Sequence, residues 1–135
     1  MSKLTRKFFL LLGAVAATGA GWAQPKYPTR TVEVILPYAA GGGVDAMGRA
    51  FAREASRVTG GQWVVVNRDG ATGMLGFAAM SNATPDGHTI VFSPASPLVI
   101  SPHVSRSMPF KPDRVEPVCQ VFENVFAIAV RADSP

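Results

Sequence analysis

Between residues 31 and 92 the apolar pattern of this chain switches repeatedly between a strand period and a helix period. Thr31-Val32-Glu33-Val34-Ile35-Leu36-Pro37 begins with alternation, ends in an apolar run and is stopped by proline, which predicts a buried first strand. Val44, Met47, Phe51, Ala55 and Val58 follow at spacings of three and four. That stripe predicts an amphipathic helix with Arg49, Arg53 and Arg57 on its other faces, ended by Gly60-Gly61. Trp63 to Val66 reads as a second strand, and Met74 to Ala83 as a short helix of small residues suited to close packing on a sheet. Thr84-Pro85-Asp86-Gly87 has turn chemistry, and Thr89 to Phe92 reads as a third strand. Strand, helix, strand, helix, strand predicts an α/β fold with a mainly parallel sheet flanked by helices, built through right-handed crossovers. Further on, a short helix or turn is expected from Leu98 to Val104 and one helical turn within Pro109 to Glu116. Val118 to Val130, β-branched and aromatic, predicts another strand, bent near Glu123-Asn124.

The charge of the chain is concentrated where it says least about a partner. The formal charge is +4, but Lys3, Arg6 and Lys7 precede the uncharged run from Phe8 to Ala17, and Gly21-Trp22-Ala23 follows. A basic start, a short apolar stretch and a small-x-small triplet form the layout of a secretory signal peptide over residues 1–23. The run is too short to span a bilayer, which takes about 20 apolar residues. Cleavage after Ala23 would leave Gln24 to Pro135 with a net charge of +1, no clustered basic surface for nucleic acid and no stable membrane insertion. Cys119 is the one cysteine, so no intrachain disulfide is available, and its apolar neighbours predict a small core residue. His88 and His103 stand fifteen residues apart without a partner at i+3 or i+4, so no metal site is expected.

In an open α/β sheet, ligands bind just outside the carboxyl ends of the strands. Two loops fall there, Tyr38 to Asp45 and Ser93 to Pro97. In the first, Gly41-Gly42-Gly43 sit between a strand and a helix start. The first helical amides lack intrahelical acceptors and the helix dipole is positive at that end, so a carboxylate or phosphate is the expected guest. A P-loop is excluded, because Gly43-Val44-Asp45 stands where Gly-Lys-Ser/Thr is required. Gly41-x-Gly43-x-x-Ala46 matches a permissive dinucleotide pattern with Asp69 near the next strand end, a nucleotide-binding reading that conflicts with export. Asp45 either caps the helix and complements its dipole or bonds a polar group of the ligand. Ser93 and Ser96 are ligand hydrogen-bond donors or turn-forming serines. Arg68 is a solvated loop cation or an anion clamp. A secreted α/β enzyme with a glycine-rich oxyanion loop is the alternative from another class, but no Gly-x-Ser-x-Gly elbow or nucleophile with a base is evident.

The segments resemble, in order, the periplasmic solute receptors of tripartite tricarboxylate transporters, the Bug or TctC-like family. The resemblance is carried by Tyr27-Pro28-Thr29-Arg30, Pro37-Tyr38-Ala39-Ala40-Gly41-Gly42-Gly43-Val44-Asp45, the stretch from Val64 to Gly73, Pro85-Asp86-Gly87-His88-Thr89-Ile90, Ser101-Pro102-His103 and Val115-Glu116-Pro117-Val118. It implies a type II periplasmic-binding-protein-like (Venus flytrap) fold, of which residues 24–135 would form the N-terminal lobe, with the second lobe missing. It further implies a non-enzymatic periplasmic receptor without cofactor or metal. Such a receptor captures a small di- or tricarboxylate and delivers it to a two-component membrane permease. The implied ligand-binding residues are Tyr38, Ala39, Ala40, Gly41, Gly42, Gly43, Val44, Asp45, Ser93, Ala95 and Ser96. The family loop commonly reads Pro-Phe-Pro-Pro-Gly-Gly, whereas here Tyr38-Ala39-Ala40 replaces the aromatic-proline stretch and a third glycine follows. A single lobe would hold a carboxylate weakly, because its hydrogen bonds stay open to water.

Overall fold

The computed structural model describes residues 26–123 and 129–133, so the proposed signal segment and residues 124–128 of the expected fourth strand lie outside the described residues. Three parallel strands, β1 (Val32–Leu36), β2 (Trp63–Asn67) and β3 (Thr89–Val91), pair in the order β2-β1-β3. The helices are α1 (Gly43–Thr59), α2 (Met74–Ser81), α3 (Ser96–Val99) and α4 (Ser101–Val104), with single 3-10 turns at Ala71–Gly73 and Pro112–Arg114. The predicted α/β class, and the predicted order of elements as far as β3, are therefore what the chain adopts.

β1 is central and buried on both faces, which is why its sequence runs apolar to its end. On one face Leu36 meets α1, where a Cβ built on Gly48 would lie 2.5 Å from Leu36 Cδ2. On the other, a Cβ on Gly76 of α2 would lie 2.6 Å from Pro37 Cβ and 3.3 Å from Ile35 Cγ2. The small residues at these two positions let both helices pack close to the strand. Val34, Leu36, Ala52 and Phe92 form the buried cluster, with Phe51, Trp63, Val65 and Phe122 packed against it. Phe51 links it to β2 by an edge-on contact with Trp63 at 5.9 Å and to Phe92 by stacking at 5.4 Å.

Two expectations are corrected. The inward face of α1 is Asp45, Gly48 and Ala52, with Val44 and Phe51 half-buried beside it. Val58 is 70% exposed, and Met47 lies at the rim. The apolar stripe was one step off, because the closest approach to the sheet takes the smallest side chains rather than the largest. Residues 118–123 pair with no strand, and Cys119 is exposed rather than in the core. Val118, at 88% exposure, shares that environment. The apolar pattern there is real, but no neighbouring strand covers it among the described residues.

Candidate anion-binding site

Because the three strands run parallel, the segments after Leu36, Asn67 and Val91 emerge at one edge of the sheet. Gly73 shows how closely they meet: a Cβ there would lie 3.1 Å from Pro97 Cγ, 3.5 Å from the Tyr38 hydroxyl and 3.6 Å from Pro37 Cβ. Its φ of 94° is open to glycine at little cost, so this junction tolerates no side chain. The expected loops, Tyr38 to Asp45 and Ser93 to Ser96, are thus brought together, with Gly70 to Gly73 between them. The sequence placed this third loop at the same edge, through Arg68, but named none of residues 70–73 as part of the site. Its backbone is unusual, with φ of 48° at Ala71 and 55° at Thr72, and no residue type announces this.

Ala39 to Gly43 are exposed, Val44 is half-buried and Asp45 is buried. Gly42 is the N-cap of α1 and carries no side-chain cap. The first helical bond is Ala46 N–H to Gly42 O at 3.0 Å, so the amides of Gly43, Val44 and Asp45 precede the intrahelical ladder. The Gly41 amide is different: it donates to Asp45 Oδ2 at 3.0 Å. Gly41 itself sits at φ 88°, which bends the chain back toward Asp45. Gly41 is thus committed to holding the bend, and the amides that precede the helical ladder begin at Gly43.

The side chain of Asp45 is bonded within the protein. Its carboxylate accepts from Arg49 Nε at 3.0 Å, from the Gly41 amide and from Asn67 Nδ2 at 2.9 Å. Those bonds, the Arg49 guanidinium foremost, hold its carboxyl well below the usual carboxylate range. Arg49 lies one turn along α1, and Asn67 ends β2. Neither was read from the sequence as part of the site, although the Asp45–Arg49 spacing of four was a legible signal. The Ser93 hydroxyl donates to the Pro94 carbonyl at 2.9 Å. Ala95 is exposed, and Ser96 opens α3. Arg68 is half-exposed and 3.4 Å from Glu33 of β1, a surface ion pair of little energetic weight. Two open grooves, of about 390 and 530 Å³, are lined from α1 with Phe92 and Phe122, and from α1 with β2. Neither includes a residue of the two expected loops.

The dinucleotide pattern loses its packing logic in this fold. Its third position, Ala46, is exposed, whereas Gly48 makes the close helix–strand approach.

The sequence pattern of the "tripartite tricarboxylate transporter family receptor", TctC, matches residues 47–135. The chain belongs to the TctC family. The glycine loop precedes the matched region but is covered by Protein BugT of Bordetella pertussis, 32% identical over 134 residues, which are 96% of this chain and 38% of BugT. The structure of R. palustris Rpa4515 with adipate superposes with a TM-score of 0.61 at 28% identity, covering 64% of this chain and 29% of that one. MatC (Rpa3494) from Rhodopseudomonas palustris with bound malate gives 0.53 at 29% identity, covering 64% and 30%. This TctC chain spans little more than a third of the length of the curated relatives it matches, 36% and 38% for two of them. Among its described helices none is long and apolar enough to cross a membrane.

Proposed function

We propose that this chain is the N-terminal, ligand-gripping part of a periplasmic receptor for a small dicarboxylate, delivered to a two-component membrane permease. The single observation that carries the reading is the uncapped start of α1, whose amides at Gly43 and Val44 stand beyond a solvent-exposed glycine bend at the carboxyl edge of the sheet. Backbone N–H groups at the positive end of a seventeen-residue helix suit a carboxylate. Two structural neighbours were solved with adipate and malate, both dicarboxylates, which supports that class of ligand. The basic, apolar and small-residue order of residues 1–23 supports export. Membership in a receptor family supports binding over catalysis.

Gly43→Pro tests the reading. Gly43 is the first residue of α1, where proline fits a helix, and Gly42 is already extended at ψ 174°, as a residue before proline prefers. The variant removes one amide donor and leaves the fold. We expect adipate and malate to shift the loop amide signals of the wild-type chain in an NMR titration. Affinity should fall about 10- to 100-fold in Gly43→Pro, the worth of one hydrogen bond to a charged group. Equal affinities would overturn the assignment of the Gly43 amide, and loop signals unmoved even at acid concentrations high enough to load the weak site of a single open lobe would overturn the ligand class.

A further inference from the structure

Asn67 closes β2 opposite Leu36 in the sheet register, and Arg68 N–H to Leu36 O at 2.8 Å fixes the strand end there. Its position is therefore set by the sheet and not by the loop. Its side-chain Nδ2 donates to the Tyr38 carbonyl at 3.0 Å and to Asp45 Oδ1 at 2.9 Å. Its Oδ1 accepts from an Arg49 guanidinium nitrogen at 3.0 Å. Reversing the amide would set oxygen against two oxygen acceptors, so the partners dictate one orientation. Asp45 passes the restraint on, holding the Gly41 amide at 3.0 Å.

We propose that Asn67 is the positioning residue that keeps the Gly41–Gly43 bend ordered before any ligand arrives. It grips the chain on both sides of the glycines, at Tyr38 before them and at Asp45 after them. Three consecutive glycines otherwise carry the largest conformational freedom of any such segment. Ordering them in advance removes that cost from binding. Arg49 pairs with the Asp45 carboxylate in the same network, so the charge beneath the bend is balanced where an anion would approach. The consequence for binding rests on the carboxylate reading above; the ordering of the bend does not.

The test uses the whole 135-residue chain. Backbone ¹⁵N relaxation should give order parameters near ~0.85 at Gly41, Gly42 and Gly43, as for rigid backbone. Asn67→Asp removes both donors and sets a carboxylate against Asp45 and the Tyr38 carbonyl. It should drop those three glycines below ~0.6 while Val34 and Ile35 of β1 stay rigid. Asn67→Ala, which adds no charge, should move them in the same direction and serves if Asn67→Asp does not fold. Glycines that stay rigid in Asn67→Ala, or that are already mobile in the wild type, would overturn the proposal, as would equal loosening of β1. Adipate and malate titrations of the same samples should show binding weakened about tenfold. If the wild type ignores both acids even at concentrations that would load a weak site, the carboxylate reading falls, while the relaxation data still decide the role of Asn67.

Discussion

Asp45 shows how one side chain can be assigned only when its partners are known. In the sequence it stood between a helix cap and a ligand contact. In the fold it binds its own loop and the guanidinium one turn on, which keeps it charged. Its folded acidity follows. Because Arg49, Gly41 and Asn67 lower its pKa below the 3.8 of a free carboxyl, it stabilises the fold at pH above that value, and the contribution is lost as pH falls below it. Asp86, lowered to about 2 chiefly by Arg30, acts in the same sense. The urea midpoint should therefore hold steady near neutrality and fall as pH drops from 3.8 toward about 2. Asp45→Asn should start lower at neutral pH and fall less steeply. A variant with the wild-type acid profile would show that the network contributes nothing.

Among the elements, the two sheet-facing helices rely on absent side chains. Gly48→Ala gains about 1 kcal/mol of helix propensity, yet its Cβ would meet the fully buried Leu36 at 2.5 Å. Overpacking of this kind costs about 1–3 kcal/mol, so the net effect is destabilising or near zero. Gly76→Ala is the harsher change, because its Cβ would stand 3.0 Å from Pro37 Cα, backbone that cannot rotate away. Its denaturant midpoint should fall further than that of Gly48→Ala. The helices themselves were legible from spacing, glycine stops and proline, and α1 and α2 appear within two residues of where they were expected. Which face turned inward was not legible, since a stripe of large apolar residues and a stripe of small ones both satisfy a helical period. Contact with β1 chose the small one. Exposed apolar residues such as Val58 were the result.

At the scale of the molecule, the amino-terminal edge of the sheet is tied as firmly as the opposite edge is left open. Thr29 N–H donates to Nε2 of the buried His88 at 3.2 Å, Tyr27 donates to the Gly87 carbonyl at 2.6 Å, and Arg30 pairs with Asp86 at 2.8 Å. His88→Ala leaves the Thr29 amide without its acceptor and should cost about 1–3 kcal/mol, measured by urea unfolding. Cys119, exposed on the segment after Pro117, should react with a thiol reagent in native buffer as fast as in urea. Protection from the reagent would restore the core placement that its apolar neighbours suggested. The amino-acid order alone determined the α/β class, the parallel run of elements, the glycine bend at a helix start and the family resemblance. Those properties are written in local periods and in short ordered motifs. Only the tertiary structure decided that Gly41 spends its amide on Asp45, that Asn67 reaches across from another strand, and that Gly73 joins three loops. The last two depend on residues far apart in the chain meeting at one sheet edge, a distance that no local pattern records, and the first, although local, depends on the φ of 88° that Gly41 adopts in the fold.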